Sequence, residues 1–339
     1  MRKNFSFIHK LFKGNSFFLP SFVALLAVVQ LATAQGGWNR YAGEFLYLET
    51  SPRVQALGGA GVVLQQDVST MNYNPAGLFG VSRPQATLMH AWQFVDFVNF
   101  DFGALAFRLD DRRVLGISVS RLGVENILDT RQAQVVYGDS WRLDWSRVTR
   151  FSAADYAVTI ALAQEMLWLG RVGIATRLLY RDFGDVQAWG MGVDVGMQHP
   201  IGQNGMLGVV IRNATTTVVN WSTGTRELVA PQMRIGGAYR LALSGIHSQV
   251  MPVVELVLNT VGNTTRTDQG GLRSTYFEAI GGLEWQYRQT ISLRTGMDPL
   301  GRFSAGIGIQ IPHIRFDYAF LSFSDELGNA HRVGMVVGF

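Results

Sequence analysis

The sequence contains no cysteine, and none of its lysines comes after Lys13. The lack of cysteine excludes disulfides and any metal or nucleophile chemistry that uses a thiol. After the first 34 residues there is also no apolar run of about 18 residues free of charges and glycines, which a membrane-spanning helix would need. If the chain enters a membrane, it must therefore do so as a closed barrel, the other form that satisfies every backbone group in lipid.

Charged residues make up only 16% of the chain, and their balance depends on the first thirteen residues. The net charge of +4 comes from Arg2, Lys3, Lys10 and Lys13, because the remaining chain has 25 arginines (29 − 4) against 25 acidic residues. Without that leader the protein is neutral. The sequence pI of about 9.5 is consequently no argument for a nucleic-acid partner.

The first 34 residues have the order of a secretory signal peptide. A basic start precedes the apolar stretch 17–31, and Ala32-Thr33-Ala34 has the form of a cleavage site. The alternative is a transmembrane anchor, but the uninterrupted apolar part, 22–29, is far shorter than a spanning helix. We predict that residues 1–34 are a cleaved signal peptide.

From residue 84 onward, apolar residues alternate with small or polar ones. In 189–198 the odd positions are Trp, Met, Val, Val and Met, and the even positions are Gly, Gly, Asp, Gly and Gln. Segments of about ten residues with this pattern are typical of transmembrane strands. The strands of a soluble β-sandwich also alternate between apolar and polar residues. Their solvent-exposed face usually carries Lys, Glu and Thr, whereas here Gly, Ala and Ser dominate the second face.

We therefore predict an all-β fold: an outer-membrane barrel of about 14 antiparallel strands over residues 84–339, preceded by an N-terminal plug segment over 35–83. The predicted strands are 84–92, 97–109, 113–121, 151–163, 168–182, 186–198, 205–212, 233–241, 250–259, 274–286, 289–297, 302–311, 314–323 and 331–339.

The face predicted to point inward carries charges of both signs in similar number. Two interpretations stay open: the charges neutralise one another and hold the barrel's shape, or they take part in function. The candidate lumen charges are Arg177, Asp194, Arg234, Glu255, Glu278, Arg294, Arg315 and Asp317, and Arg181, Arg240 and Glu284 fall on the same face.

Three predicted connections are long: 122–150, 213–232 and 260–273. All three are odd-numbered from the periplasm, as expected for extracellular loops, while most even-numbered connections are tight turns. Their aromatic residues form a candidate partner-binding surface, although Trp and Tyr also gather at membrane interfaces as anchors. These residues are Tyr137, Trp141, Trp145 and Trp221.

The segment 43–78 differs from the alternating strands that follow it. It contains a Gly-Gly-Ala-Gly run at 58–61 and an Asn-Pro-Ala-Gly turn at 74–77. The run is not a dinucleotide fingerprint, because Leu64 occupies the place of the third glycine. An ordinary Gly-rich loop is the alternative to a plug. The residues that we predict as structural or gating parts of the plug are Gly58, Gly59, Asp67, Asn74, Pro75 and Gly77.

The same segment resembles the PorV/PorQ family of outer-membrane proteins. The resemblance rests on about forty residues: Glu44-Phe45-Leu46, Ser51-Pro52-Arg53, Ala56 to Ala60, Asp67 and Asn74 to Leu78, with Trp92 and Asp96 further on. The PorV/PorQ family is similar in fold to the FadL long-chain fatty-acid channels. Membership would imply a 14-stranded barrel with an N-terminal plug that contains an NPA turn.

The resemblance implies two functions. PorV/PorQ-like proteins belong to the type IX secretion system, so the first expectation is a docking or accessory role, with secretion subunits or the C-terminal domains of secreted cargo as partners. The second is a FadL-like channel for a hydrophobic ligand. Either would be surrounded by outer-membrane lipid. The sequence contains no H-E-x-x-H, G-x-S-x-G or P-loop motif, and we predict neither an enzyme nor a cofactor or metal site.

Overall fold

The computed structural model describes residues 43–94, 97–137, 140–261, 274–323 and 328–339. The predicted signal peptide 1–34, the lead-in 35–42, Asp96 and nearly all of the loop 260–273 lie outside these ranges.

The described chain forms nineteen strands. They are β1 (Gln85–Gln93), β2 (Val98–Asp110), β3 (Arg113–Asp129), β4 (Gln134–Tyr137), β5 (Ser140–Leu143), β6 (Thr149–Met166), β7 (Gly170–Asp182), β8 (Gln187–Ile201), β9 (Gly205–Arg212), β10 (Thr217–Trp221), β11 (Arg226–Val229), β12 (Gln232–Tyr239), β13 (Leu241–Leu243), β14 (Ser248–Val261), β15 (Ser274–Tyr287), β16 (Ile291–Met297), β17 (Phe303–Ile311), β18 (Ile314–Leu321) and β19 (Ala330–Gly338).

Fourteen of these strands close into one barrel in which every neighbouring pair is antiparallel. The order around the wall is β1, β2, β3, β6, β7, β8, β9, β12, β14, β15, β16, β17, β18 and β19. The first and last strands pair from Gln85 opposite Gly338 to Trp92 opposite His331, which closes the ring. The predicted all-β, 14-stranded antiparallel barrel is therefore confirmed.

Alternation along each strand separates a lipid-facing surface from a packed lumen. On β8, the side chains of Trp189 and Met191 are 64% and 53% exposed, while Asp194 and Gln198 point inward and are buried. Apolar side chains on the outside and polar ones inside suit a barrel embedded in a membrane. Among the residues described, no helix has the length and apolar character to cross a membrane.

The wall is taller on the extracellular side than the sequence pattern predicted. Strand β3 continues to Asp129 past a bulge near Asn126, and it pairs with β6 along this extension. Gly123, Glu125 and Asn126 disfavour a strand, which is why the predicted strand ended at residue 121. Cross-strand pairing decides the conformation here instead.

Two predicted loops turn out to contain sheet. Within 213–232, β10 pairs with the upper part of β8 and with β11, so most of this segment extends the wall. Within 122–150, β4 and β5 form a separate two-stranded hairpin. The prediction of plain loops was wrong in both places, because short strands of four or five residues leave too weak a periodicity to detect.

The N-terminal plug, Gly43–Val81, lies inside the barrel. It consists of short pieces: 3-10 turns at Glu44–Tyr47, Val68–Asn72 and Pro75–Gly80, and one helix, α1 (Pro52–Ala56). The plug touches inward side chains from all around the wall, so it fills the lumen rather than capping one end.

Glycines on the inward face make room for the plug. A Cβ atom at Gly208 would lie 2.8 Å from the carbonyl oxygen of Val62, and one at Gly282 would lie 2.7 Å from that of Leu57. A Cβ at Gly196 would overlap the side-chain amide of Asn74. The small residues that the sequence places on this face are therefore part of the fit between wall and plug.

The substitution Gly196→Ala should loosen the plug. The added methyl group overlaps Asn74 in a fully packed site, so we expect a loss of about 1–3 kcal/mol in the free energy of unfolding. Thermal or denaturant unfolding of the detergent-solubilised barrel measures this loss. Gly281→Ala is the control, because a Cβ there meets nothing within 4 Å. Equal stability of the two variants would contradict the proposed fit.

Candidate functional site

A network of ion pairs joins the plug to the wall in the periplasmic half of the lumen. Arg294 donates to Glu284 at 2.7 Å and to Asp317 at 2.6 Å, and all three side chains are buried. From the plug, Arg53 binds Glu284 at 2.7 Å. Arg315 binds Asp317 at 2.6 Å and also reaches Asp67 of the plug. Three arginines thus match three carboxylates, as buried charges require.

A second group of pairs lies further towards the extracellular side. Arg177 pairs with Asp194 at 2.6 Å, and Arg234 pairs with Glu255 at 2.5 Å. Glu255 also accepts hydrogen bonds from the backbone N–H groups of Gly61 and Val62, at 3.0 and 3.1 Å. A wall carboxylate therefore satisfies plug backbone groups that no secondary structure satisfies.

The two glycines before Gly61 approach the wall closely. Gly58 and Gly59 have φ angles of 72° and 94°, a conformation that side chains disfavour. Arg234 donates to the carbonyl oxygen of Gly59 at 3.2 Å. At Gly77, a Cβ would lie 2.8 Å from the carbonyl oxygen of Leu64 within the plug. These glycines are positions where the backbone must pass without a side chain.

Asn74 connects three segments at once and is completely buried. Its side-chain amide donates to the carbonyl oxygens of Val62, Met197 and Val209, at 3.0, 3.1 and 3.3 Å. Its oxygen accepts from the N–H of Ala76 at 3.1 Å, which caps the turn that Pro75 begins. Asp67 plays the same capping role for the preceding turn, accepting from Ser69 at 2.9 Å.

The sequence predicted these wall charges and plug residues separately, and the structure brings most of them together. Arg53 was missed as a partner of the lumen charges, whereas Glu284 was predicted on the same inward face. Arg53 lies in the Ser-Pro-Arg stretch of the family resemblance, the one signal that pointed to it. Glu278 lies apart from the network and accepts from Asn259 at 2.8 Å.

A cavity of about 620 Å³ opens above the plug on the extracellular side. Its walls combine apolar side chains with charged and amide groups. Lining residues include Tyr47, Leu48, Val229, Val257, Ile280 and Leu321 on the apolar side, and Glu49, Gln93, Gln232, Arg302, Arg332 and Glu278 on the polar side.

Several polar atoms in the cavity wall are buried without a hydrogen-bond partner. They include Nε2 of Gln93, Oε1 of Gln232, Nε of Arg332 and Oε2 of Glu49. Buried polar groups are normally paired, so an unpaired set around one cavity indicates room for water or for a ligand that carries polar atoms. Among the described residues, no three His, Asp or Glu side chains are placed to hold a metal ion.

The predicted loop aromatics do not form one surface. Trp141 and Trp145 are 66% and 69% exposed on or beside the β4–β5 hairpin. Trp221 is half-buried and packs against Phe183, with ring centroids 5.4 Å apart, and under the guanidinium of Arg181. Tyr137 lies in β4. Trp221 therefore stabilises the wall, and the exposed aromatic surface is narrower than predicted.

Comparison with known proteins identifies the fold. No protein-family model matches the chain, and no curated protein matches it significantly. Solved structures do match. The toluene transporter TodX of Pseudomonas putida aligns with 86% of this chain and 97% of its own, at 12% identity and a TM-score of 0.56. The toluene transporter TbuX of Ralstonia pickettii covers the same shares, at 13% identity and a TM-score of 0.54.

A FadL homologue of Pseudomonas aeruginosa aligns with 85% of this chain and 96% of its own, at 11% identity and a TM-score of 0.50. The chain therefore has the FadL-like fold of outer-membrane barrels. At these identities the likeness establishes the fold alone.

Replacing Arg294 by Met should strongly destabilise the plug. The change leaves Glu284 and Asp317 buried with one cation fewer, and breaking a buried pair in this way costs about 3–5 kcal/mol. Unfolding by denaturant measures the loss. Arg147→Met is the control, since Arg147 is exposed and its pair with Asp144 is on the surface. If both substitutions caused similarly small losses of stability, the buried ion pairs would not be what stabilises the plug.

Glu49 generates a pH prediction. Burial is the largest influence on its pKa and raises it, while Arg234 and Arg332 act in the opposite direction. The folded state then holds this proton more tightly than the unfolded state does. The contribution of Glu49 to stability therefore falls as pH rises above 4.5, the ordinary pKa of a glutamate side chain. We expect Glu49→Gln to be more stable than the native protein at pH 8, with less difference at pH 4. Melting temperatures at both values check this, and a wild-type advantage at pH 8 would contradict it.

Proposed function

We propose that this protein is a FadL-like channel for small, mainly hydrophobic molecules that also carry a polar group. The observation that carries the proposal is the cavity of about 620 Å³ between the extracellular rim and the plug. Pockets that bind small ligands combine apolar walls with a few polar groups that fix orientation. The cavity has both, and its volume is in the range of such pockets.

The fold supports this proposal. TodX and TbuX are described as toluene transporters, and CymD, at a TM-score of 0.53, is described as a monoaromatic hydrocarbon channel. The cavity of this chain has arginine, glutamate and glutamine side chains at its base, so a ligand that bears a hydroxyl or carboxyl group fits it better than a pure hydrocarbon. The Gln93 and Arg332 side chains, which line the cavity, would bind such a group.

The plug is the proposed gate. Paired charges and close-packed glycines hold it in the lumen, so passage requires part of it to move. The segment next to the cavity, around Glu49, is the best candidate because it lines the cavity directly. Arg332 of β19 donates to the carbonyl oxygen of Glu49, while one carboxylate oxygen of Glu49 has no partner.

Filling the cavity tests the proposal. Val257 points into it and is 2% exposed, whereas the adjacent Leu256 faces lipid and is 56% exposed. We expect Val257→Trp to reduce binding of amphiphilic aromatic or alkyl ligands at least about tenfold, since the larger indole projects into the cavity where the ligand would lie. Leu256→Trp adds the same side chain on the other face and should bind like the native barrel.

The measurement is equilibrium binding of toluene, benzoate and decanoate to the detergent-free barrel in lipid nanodiscs, followed by uptake into proteoliposomes. If toluene bound as tightly as benzoate and decanoate, the proposal that the ligand carries a polar group would be wrong. If the native barrel binds none of the three, or if both tryptophan variants lose binding equally, the channel function is wrong.

A docking role in type IX secretion is the second candidate function. Its specific support is the periplasmic half of the lumen, which Arg–carboxylate pairs close. A barrel closed in this way would not conduct solutes, but it could still hold a partner protein. The exposed Trp141 and Trp145 offer a contact surface for a partner. Purification from mildly solubilised membranes separates the candidates: secretion subunits or cargo C-terminal domains that co-purify with the native barrel, and are lost from a Trp141→Ser/Trp145→Ser variant, would favour docking.

A further inference from the structure

A row of aromatic side chains on the outer wall gives way to ionisable residues on the first three strands of the barrel. His90 on β1, Asp101 on β2 and Arg121 on β3 face away from the lumen and lie opposite one another in the strand register. The same row continues in aromatic residues: Tyr156, Tyr180 and Trp189. Tyr and Trp on the outer face mark the level of the lipid head groups. The His–Asp–Arg stretch therefore lies at the extracellular membrane interface.

These ionisable side chains are unusual for a lipid-facing wall. On the described strands β14–β18, no outward position holds a charged residue. Nδ1 of His90 lies 2.6 Å from the carboxylate of Asp101, and Arg121 lies 3.1 Å from Glu125 and 3.7 Å from Asp101. Arg121, Asp101 and Glu125 are nevertheless 31%, 46% and 54% exposed. The cluster can therefore contact a further polar group from outside the barrel.

An apolar groove of about 600 Å³ lies on the outer wall beside this cluster. Its floor is Gly103 on β2, which pairs with Leu88 on one side and Val119 on the other. A Cβ atom at Gly103 would lie 3.4 Å from Cδ2 of Leu88, an ordinary contact distance, so packing does not require a glycine here. The opposite side of the groove consists of Phe316, Val333 and Met335. The missing side chain leaves a channel that is open to the hydrocarbon region of the membrane.

The order of the side chains along β3 indicates which molecule fits. Val119 lines the groove, Arg121 follows it, and Glu125 comes next towards the extracellular side. In a phosphoethanolamine lipid the acyl chain, the phosphate and the ammonium group follow one another in the same order. A head group with a phosphate but no ammonium group would meet the carboxylates of Glu125 and Asp101 without a compensating positive charge.

We propose that the outer wall of β1–β3 binds one phospholipid with a phosphoethanolamine head group. One acyl chain lies in the groove over Gly103, Arg121 donates to the phosphate, and Glu125 accepts from the ammonium group. Because Val333 and Met335 of β19 line the same groove, the lipid covers the outside of the seam where β1 meets β19. The proposal does not depend on what the extracellular cavity takes.

Native mass spectrometry of the detergent-solubilised barrel tests the head-group contacts. Phosphatidylethanolamine and phosphatidylglycerol with identical acyl chains are added in equal amounts, and we expect the first to be retained about fivefold more. Glu125→Gln should lower retention of phosphatidylethanolamine but not of phosphatidylglycerol, whereas Arg121→Gln should lower both. A purely structural role of these side chains would not separate the two lipids. Equal retention of both lipids by the native barrel would overturn the proposal.

Gly103→Phe tests the groove, because its ring would fill the space that the acyl chain takes. Retention of phosphatidylethanolamine should fall about tenfold. Gly281→Phe is the matched control, since Gly281 on β15 also faces lipid and a Cβ there meets nothing within 4 Å. It should retain the lipid within about twofold of the native barrel. Equal losses from the two substitutions would show unspecific lipid contact and overturn the site. Complete displacement by millimolar free phosphoethanolamine would overturn a lipid as the ligand.

Discussion

Charge pairing away from water is the constraint on which the interior of this protein depends. The plug segment is too short and too irregular to fold around a core of its own, so it exists as a structure because wall side chains satisfy its charges and its backbone. Arg53 and Asp67 find their partners on two different strands, β15 and β18. Glu255 of the wall accepts from the plug backbone at Gly61, and the Asn74 amide of the plug donates to the wall carbonyl oxygen of Met197. Wall and plug thus share one core, in which buried ion pairs lie beside three hydrophobic clusters.

Much of the barrel could be predicted from the sequence, because a wall between lipid and a packed lumen imposes a strict period of two. Strand β9 begins and ends at the predicted residues 205 and 212. The prediction failed where alternation is not the deciding influence. At β3 the strand continues past Gly123 and the bulge at Asn126 because β6 is long enough to pair with the residues beyond.

The interior was predictable in kind but not in detail. Inward positions carry both charge signs, which indicated pairing, but the partner of each charge depends on the register between strands and on the path of the plug. Arg294 reaches Glu284 across one strand boundary and Asp317 across two, a geometry that no spacing in the chain reveals.

The contacts of the plug also bear on the order in which the molecule is made. Arg332 on the final strand donates to the backbone of Glu49, near the start of the described chain, and β19 then zips onto β1 to complete the wall. A segment that fills the lumen cannot be threaded in once that seam is shut. The plug segment must therefore be in place before β19 pairs with β1. This last pairing step can then be completed only around a filled lumen.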